Sequence, residues 1–446
     1  MRLTLLALMA TAACASGPPA NYRALPADPE LLHAAVQGLT DVIVYDIFSP
    51  PQASRAYAYA TIAAYEAARP SHPEQRTLAG QLRGLTPLPP PDSRLEYYLP
   101  LSSIQAFLTV GRALTFSRAR VDSMRIALEE QMRRRGIPSA VFARSIAYGD
   151  TVAQHILRWA GQDHYLQTRG YPKYTVTSER GRWRPTPPAY MDAIEPHWAE
   201  LRPFVLDSAS QFRPRPPYRF DLRRGSPFFA DAWEVYETGR KLTGEQRAIA
   251  AFWDCNPYVM NVQGHTMFAT KKISPGGHWM GIVRIAARKA HADFMRSAEA
   301  YARTAIALAD GFISVWDEKY RSNVIRPETV INAYLDEQWQ PLLQTPPFPE
   351  YTSGHSGIST AAAVVLTDEF GAGFSFVDSV EVGYGLPPRA FPSFEQAAAE
   401  AAISRMYGGI HYRRAIEEGQ AQGRRVGDFV IRRVRTRESV ATTASF

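Results

Sequence analysis

Apolar residues recur every three to four positions through most of this chain, and nowhere do they settle into the every-second-residue alternation of a half-buried strand. The helical period runs through residues 29–48, 54–69, 102–116, 117–135 and 139–160. It resumes through 243–253, 281–335, 355–370, 393–407 and 412–434. A helix with one apolar face must bury it, and a chain without strands does so against other helices. The pattern predicts an all-α fold of two packed helical bundles. Ser54 is placed to cap the second helix, Gly136-Ile137-Pro138 breaks the run before the fifth, and Thr243 with Gln246 reads as a capping box.

Between the bundles, residues 161–242 lose periodicity and fill with proline, arginine and aromatics, including Arg213-Pro214-Arg215-Pro216-Pro217. Connections of this length tend to be lids or walls of functional sites. The chain has 446 residues, and single cores stop growing at about 250–300. The expected order is a signal segment over 1–20, an N-terminal bundle with its long connection over 21–240, a catalytic bundle over 241–436, and a tail over 437–446.

The net charge of +7 is modest and the arginines are dispersed, which argues against a nucleic-acid binder. The same balance favours the approach of small anions. Residues 1–17 carry Arg2, an apolar run and then small residues, the pattern of an export signal. Thr11-Ala12-Ala13-Cys14 is similar to a lipoprotein cleavage box, with threonine where leucine is usual. The chain is therefore expected to be exported and to be periplasmic, tethered by a lipid on Cys14, or secreted. No later segment has the uncharged apolar length of a membrane helix. Beyond Cys14 the one cysteine is Cys255, so the mature chain has no internal disulfide. Oligomeric state is not legible.

Three separated stretches concentrate groups that bind oxyanions: Lys319 to Pro327, Tyr351-Thr352-Ser353-Gly354-His355, and Ser404 to His411. Lys319 and Arg326 are seven residues apart, two turns of a helix, so on an unbroken helix they share a face. Ser353-Gly354-His355 follows a proline-rich run and precedes an alanine-rich helical stretch. This places it at a helix N-terminus, where free amides favour an anion. Arg405 and His411, six apart, would diverge on a continuous helix. Gly408-Gly409 is expected to break it and let both converge. Taken singly, each piece also describes an ordinary solvated or capped helix end.

In this order, Lys-x6-Arg-Pro, Ser-Gly-His and Ser-Arg-x5-His resemble the shared motif of vanadium-dependent haloperoxidases and type 2 phosphatidic acid phosphatases. Ser54 to Ala60, Trp316 and Pro347-Phe348-Pro349 are similar to the bacterial and chloroperoxidase branch. The resemblance implies that Lys319, Arg326 and Arg405 hold oxyanion oxygens and that Ser353 and the Gly354 amide add hydrogen bonds. It further implies that His355 is the acid–base group and that His411 bonds the central vanadium or phosphorus. Trp316 and Phe348 would line the halide side, and Asp254 would supply a carboxylate near His355. His278, in Gly276-Gly277-His278-Trp279, reads as a structural turn histidine.

Two positions depart from the family pattern. Thr352 stands where proline is usual before Ser-Gly-His. Ala415 stands where an aspartate would orient the last histidine, which leaves the second nitrogen of His411 without an assigned partner. The resemblance implies a vanadate cofactor, with hydrogen peroxide and halide as substrates. A soluble acid phosphatase working through a phosphohistidine and an inactive oxyanion-binding homologue remain as alternatives.

Overall fold

Helix starts in this chain are set by short polar caps followed by proline or small residues, and the computed structural model, which describes residue 22 and residues 27–437, shows where each cap acts. Asp28 caps α1 (Pro29–Tyr45) by accepting from the Glu30 N–H. Ser49, rather than Ser54, caps α2 (Pro50–Ala68), whose first turn takes Pro50 and Pro51 because those positions need no N–H donor. The Ser54 hydroxyl instead donates to the Pro51 carbonyl at 2.7 Å. There follow α3 (Leu99–Leu114), α4 (Arg118–Arg133), α5 (Ser139–Ala160) and the single turn α6 (Tyr165–Thr168). The predicted signal segment and Cys14 lie outside the described residues, as does nearly all of the tail.

The aperiodic stretch ends earlier than its composition implied, because α7 (Pro227–Arg240) forms within it, capped by Ser226. Next comes α8 (Gly244–Phe252), opened by the Thr243–Gln246 capping box. Two small antiparallel hairpins interrupt the helices: β1 (Val259–Gln263) with β2 (Thr266–Thr270), and, later, β3 (Phe376–Asp378) with β4 (Arg389–Phe391). They are too short for period-two alternation to announce them, and the architecture stays helical. The remaining helices are α9 (Pro275–Lys289), α10 (Phe294–Ser322), α11 (Pro327–Tyr334), α12 (Gly354–Phe370), α13 (Phe394–Tyr407) and α14 (Arg413–Arg433).

The long helix α10, 29 residues and so about 44 Å, is the axle. Its alanines at 298, 300, 302, 305, 307 and 309 are buried on all sides, so α2 from the first half packs on one flank while α12 and α14 pack on the others. One continuous apolar cluster thus runs through both halves. The irregular connection is bolted to this axle by Asp310. Its buried carboxylate accepts the N–H groups of Phe204, Val205 and Leu206 at 2.6, 2.8 and 3.1 Å. No helix among the described residues is long and apolar enough to cross a membrane.

Candidate active site

Lys319 sits in the last turn of α10, fully buried. Its ammonium donates to the carbonyls of Pro349, Glu350 and Thr352 at 3.0, 3.1 and 2.6 Å. All three N–H bonds are therefore committed to holding the 349–352 loop, and its pull on an anion acts through charge. The predicted shared helix face with Arg326 does not exist. Asn323 adopts the left-handed conformation (φ 49°) and ends α10, and Arg326 is the cap residue of α11. Convergence comes from this break: the turn is braced by Trp183 N–H to the Asn323 carbonyl and Ile325 N–H to the Gly181 carbonyl, both 3.0 Å. The aperiodic connection thus braces the turn that carries Arg326, while the residues that line the cavity come from other segments.

Arg326 is also fully buried. Its Nε donates to the Phe348 carbonyl and its Nη1 to the Ile410 carbonyl, both at 2.9 Å, and Nη1 lies 3.2 Å from His411 Nε2. Arg405, at the end of α13, donates from Nη1 to the Trp253 carbonyl at 2.8 Å. After it, Gly408 ends the helix and Gly409 turns at φ +76°, a conformation that favours glycine, so that His411 swings back toward Arg326. The break expected at Gly408-Gly409 is the one observed.

Ser353 caps α12, its hydroxyl oxygen accepting from the Ser356 N–H at 3.3 Å and the Ser356 hydroxyl at 2.8 Å. The threonine before it has a clear task. Its hydroxyl bonds Gln422 Oε1 on α14 at 2.7 Å, and Gln422 in turn donates to the Ser314 carbonyl and hydroxyl on α10. Where a proline would stiffen the turn by its ring, Thr352 ties it to two helices. His355 makes a hydrogen bond with the Trp253 backbone, and its Nε2 has no partner.

The partner of His411 is Glu350. Its Oε1 lies 2.8 Å from His411 Nδ1 and accepts the Tyr412 N–H at 3.0 Å. Because Arg326 Nη1 is a donor facing Nε2, the proton of the imidazole must be on Nδ1, and Nε2 presents its lone pair. Ala415 only offers its carbonyl to the Ser353 N–H, at 3.0 Å. Glu350 is the one carboxylate in the apolar run Pro346 to Tyr351. An acid in such a run is marked for burial, but nothing along the chain names His411 as its partner.

Asp254 has a different partner from the one expected. Its Oδ2 pairs with Lys272 at 2.5 Å, and the contact to His355 is made instead by the neighbouring Trp253 carbonyl, turned inward where α8 ends. His278 is more than a turn residue: it is completely buried among Asp378, Glu381 and Cys255.

Burial dominates the electrostatics. It pushes His411 and His355 well below the usual histidine range and Lys319 well below that of lysine. Nearby cations push the same way: Arg326 for His411 and Lys319, and Arg405 for His355. Burial also brings Arg326 down to about 10 and depresses Arg405. The cage sets three mutually repelling cations and two neutral imidazoles against two acidic groups, Glu350 beside Lys319 and Arg326 and Asp254 beside Arg405, so it favours a further negative charge. Three buried nitrogens in it have no partner: Arg326 Nη2, Arg405 Nε and His355 Nε2. The two guanidinium N–H groups are donors an oxyanion needs, and His355 Nε2, the unprotonated nitrogen of a neutral ring, adds a proton acceptor, so the residues present fit such a group.

His355, Arg405 and His411 line one cavity with Trp316 and Phe348. The two rings lie 5.0 Å apart, and the Lys319 ammonium sits 5.7 and 5.1 Å from their centroids, so the aromatic wall partly offsets the cationic charge. Pro50, from the N-terminal half, closes the same cavity, which makes both halves part of the site.

A family model described as the VCPO second helical-bundle domain matches residues 299–438, the segment that holds every residue of the cage. No curated protein matches the chain. Among solved structures, one described as the first bacterial vanadium-dependent iodoperoxidase is 50% identical, covers 93% of this chain and 99% of its own, and superposes with a TM-score of 0.88. A holo-type bacterial vanadium-dependent chloroperoxidase is 18% identical, with 87% and 94% coverage and a TM-score of 0.65, and shares the fold. Half-identity over nearly the full length of both chains shows that this chain belongs to the vanadium-dependent haloperoxidases.

Proposed function

We propose that this chain oxidises halide with hydrogen peroxide in a vanadate-dependent reaction, and that iodide is the halide it turns over. The observation that carries the first part is the pair of unpartnered donors on Arg326 and Arg405, with the unpartnered His355 Nε2, grouped around a His411 whose Nε2 lone pair is free of its own proton. The choice of iodide rests on the 50% identical relative described as an iodoperoxidase.

Arg326 and Arg405 would hold the oxyanion by direct hydrogen bonds, Lys319 by charge, Ser353 and the Gly354 amide at the start of α12, and His411 Nε2 by the bond to vanadium. When bound, vanadate supplies Lewis-acid activation of hydrogen peroxide toward halide without a change in oxidation state. His355, held neutral by burial, is equipped to accept a proton from hydrogen peroxide and return it to the water that leaves. The overall balance is H2O2 + I− + H+ → HOI + H2O. Trp316 and Phe348 would form the apolar side on which halide approaches.

The test is peroxide-dependent iodination of a chromogenic acceptor, with and without vanadate, beside hydrolysis of a generic phosphomonoester. Vanadate should activate the first, and the second should stay at background. His411→Ala and His355→Ala should abolish iodination with the helical circular dichroism signal intact. Full turnover in both variants, or an esterase activity that vanadate inhibits, would overturn the reading. We further propose that the chain is exported, from the leader-like residues 1–17. Fractionation of expressing cells tests this, and retention of the full-length chain in the cytoplasm would refute it.

A further inference from the structure

Behind the Trp253 ring lies a second set of ligating side chains, drawn from four separate segments and buried. Cys255 follows α8, His278 is in the first turn of α9, Asp378 ends β3, and Glu381 lies in the short 3-10 turn Val380–Tyr384. Cys255 and Glu381 are 1% and 6% exposed, and His278 and Asp378 are fully buried. His278 Nδ1 is 2.9 Å from Glu381 Oε1 and 3.4 Å from Cys255 Sγ, which is itself 3.7 Å from Glu381 Oε1.

These three separations define a triangle whose circumscribed circle has a radius of about 2 Å. An ion slightly out of its plane would meet all three atoms at the bond lengths of zinc, about 2.0–2.3 Å. The other nitrogen of His278, Nε2, lies 2.7 Å from Asp378 Oδ2. A carboxylate on that side fixes the ring and accepts the Nε2–H hydrogen bond, leaving Nδ1 as a lone-pair donor, the arrangement found behind metal-bound histidines. Sulfur, nitrogen and one carboxylate oxygen select a borderline transition cation over magnesium or calcium. Glu381 also borders a surface cleft with Asp254, Lys272 and Tyr384, the side nearest solvent.

We propose that Cys255 Sγ, His278 Nδ1 and Glu381 Oε1 form a binding site for one divalent transition cation of the zinc class, with Asp378 as the residue that orients the histidine. Binding releases the thiol proton and leaves one coordination position for water. The site is separate from the oxyanion cage but touches its support. The Trp253 ring stacks on His278 at 4.7 Å and 21°, while the Trp253 carbonyl holds Arg405 and His355. A cation here would brace the backbone group on which both depend.

The full chain, stripped with a chelator, is titrated with Co2+ alone and then with Zn2+. One cobalt per chain and a thiolate-to-cobalt charge-transfer band are expected, with Zn2+ erasing the band and raising the unfolding temperature. Cys255→Ser should lose the band, and Glu381→Gln, which keeps a hydrogen bond to the histidine, should weaken binding at least tenfold. The same contacts also describe an imidazolium held between Asp378 and Glu381. In that case cobalt gives no band, chelation leaves the unfolding temperature unchanged, and the proposal falls. Equal metal binding by the wild-type chain and Cys255→Ser would overturn it as well. None of these readouts depends on peroxidase turnover, so failure here is distinguishable from failure of the oxyanion reading.

Discussion

Glu350 Oε1 accepts hydrogen bonds from both His411 Nδ1, at 2.8 Å, and the Tyr412 N–H, at 3.0 Å, so one carboxylate oxygen fixes the ring and the backbone of the residue proposed to bond vanadium. It does from the loop before α12 what an aspartate one turn into α14 would do in place of Ala415. Glu350→Ala should therefore weaken vanadate binding by about 10- to 100-fold, the usual cost of losing such an outer partner. Glu350→Gln, which retains an acceptor oxygen, should fall between it and the wild-type chain. Equilibrium dialysis of vanadate against the three proteins checks this. An unaltered affinity in Glu350→Ala would mean that the ring is held by packing alone.

The same carboxyl makes a stability prediction with a definite sign. Burial pushes Glu350 from its ordinary 4.5 up to about 8, against the opposing pull of Arg326 and Lys319. Between those values the folded chain keeps a proton that the unfolded chain releases. Stability from this group is thus greatest below pH 4.5 and is lost as pH rises toward 8, with a slope of up to about 1.4 kcal/mol per pH unit. Urea unfolding of wild-type and Glu350→Gln proteins from pH 5 to 8 should show the wild-type curve falling relative to the variant. Parallel curves would place the folded-state pKa near 4.5 instead.

Asp310 should matter for stability out of proportion to its distance from the cage. Replacing it with alanine strands the buried N–H groups of Phe204, Val205 and Leu206, and each such group costs on the order of 1–3 kcal/mol. A loss of about 3 kcal/mol or more is expected for Asp310→Ala in denaturant unfolding, with increased protease sensitivity across residues 161–226. A loss under about 1 kcal/mol would show that the connection is held elsewhere.

These cases also mark what the sequence could and could not disclose. Helix positions were readable because one apolar face repeats, and the Gly408-Gly409 turn because few residues but glycine take φ +76°. The seven-residue spacing of Lys319 and Arg326 was a misleading cue: Asn323 breaks the helix, and convergence is produced by Gly181 and Trp183, some 140 positions earlier. Glu350 was invisible as a partner of His411 because 61 residues separate them and no local period links the two. Asp254 was assigned by resemblance to the family, whereas the neighbouring Trp253 carbonyl makes the contact, a backbone group that residue identity cannot report. Helix α7 hid among prolines and aromatics whose composition resembles a loop.

The approach of α14 to α12 yields the last prediction. Gly419, Gly423 and Gly427 fall at four-residue intervals on the face of α14 that meets α12. A methyl group at Gly423 would stand 2.0 Å from the Gly357 carbonyl oxygen, and one at Gly419 would stand 2.8 Å from the Ser353 carbonyl oxygen. The obstacles are backbone atoms, which cannot rotate away as a side chain could. Gly423→Ala must therefore push the first turns of α12 outward, and with them Ser353, Gly354 and His355, away from Arg326 and His411. The expected result is a destabilisation of about 1–3 kcal/mol, as for overpacked interiors, together with at least a tenfold loss of vanadate affinity. Gly383→Ala, where nothing lies within 4 Å, should change neither. If Gly423→Ala lowers the unfolding temperature but leaves vanadate affinity intact, the N-terminus of α12 contributes little to holding the anion, and the roles given to Ser353 and Gly354 would pass to the arginines.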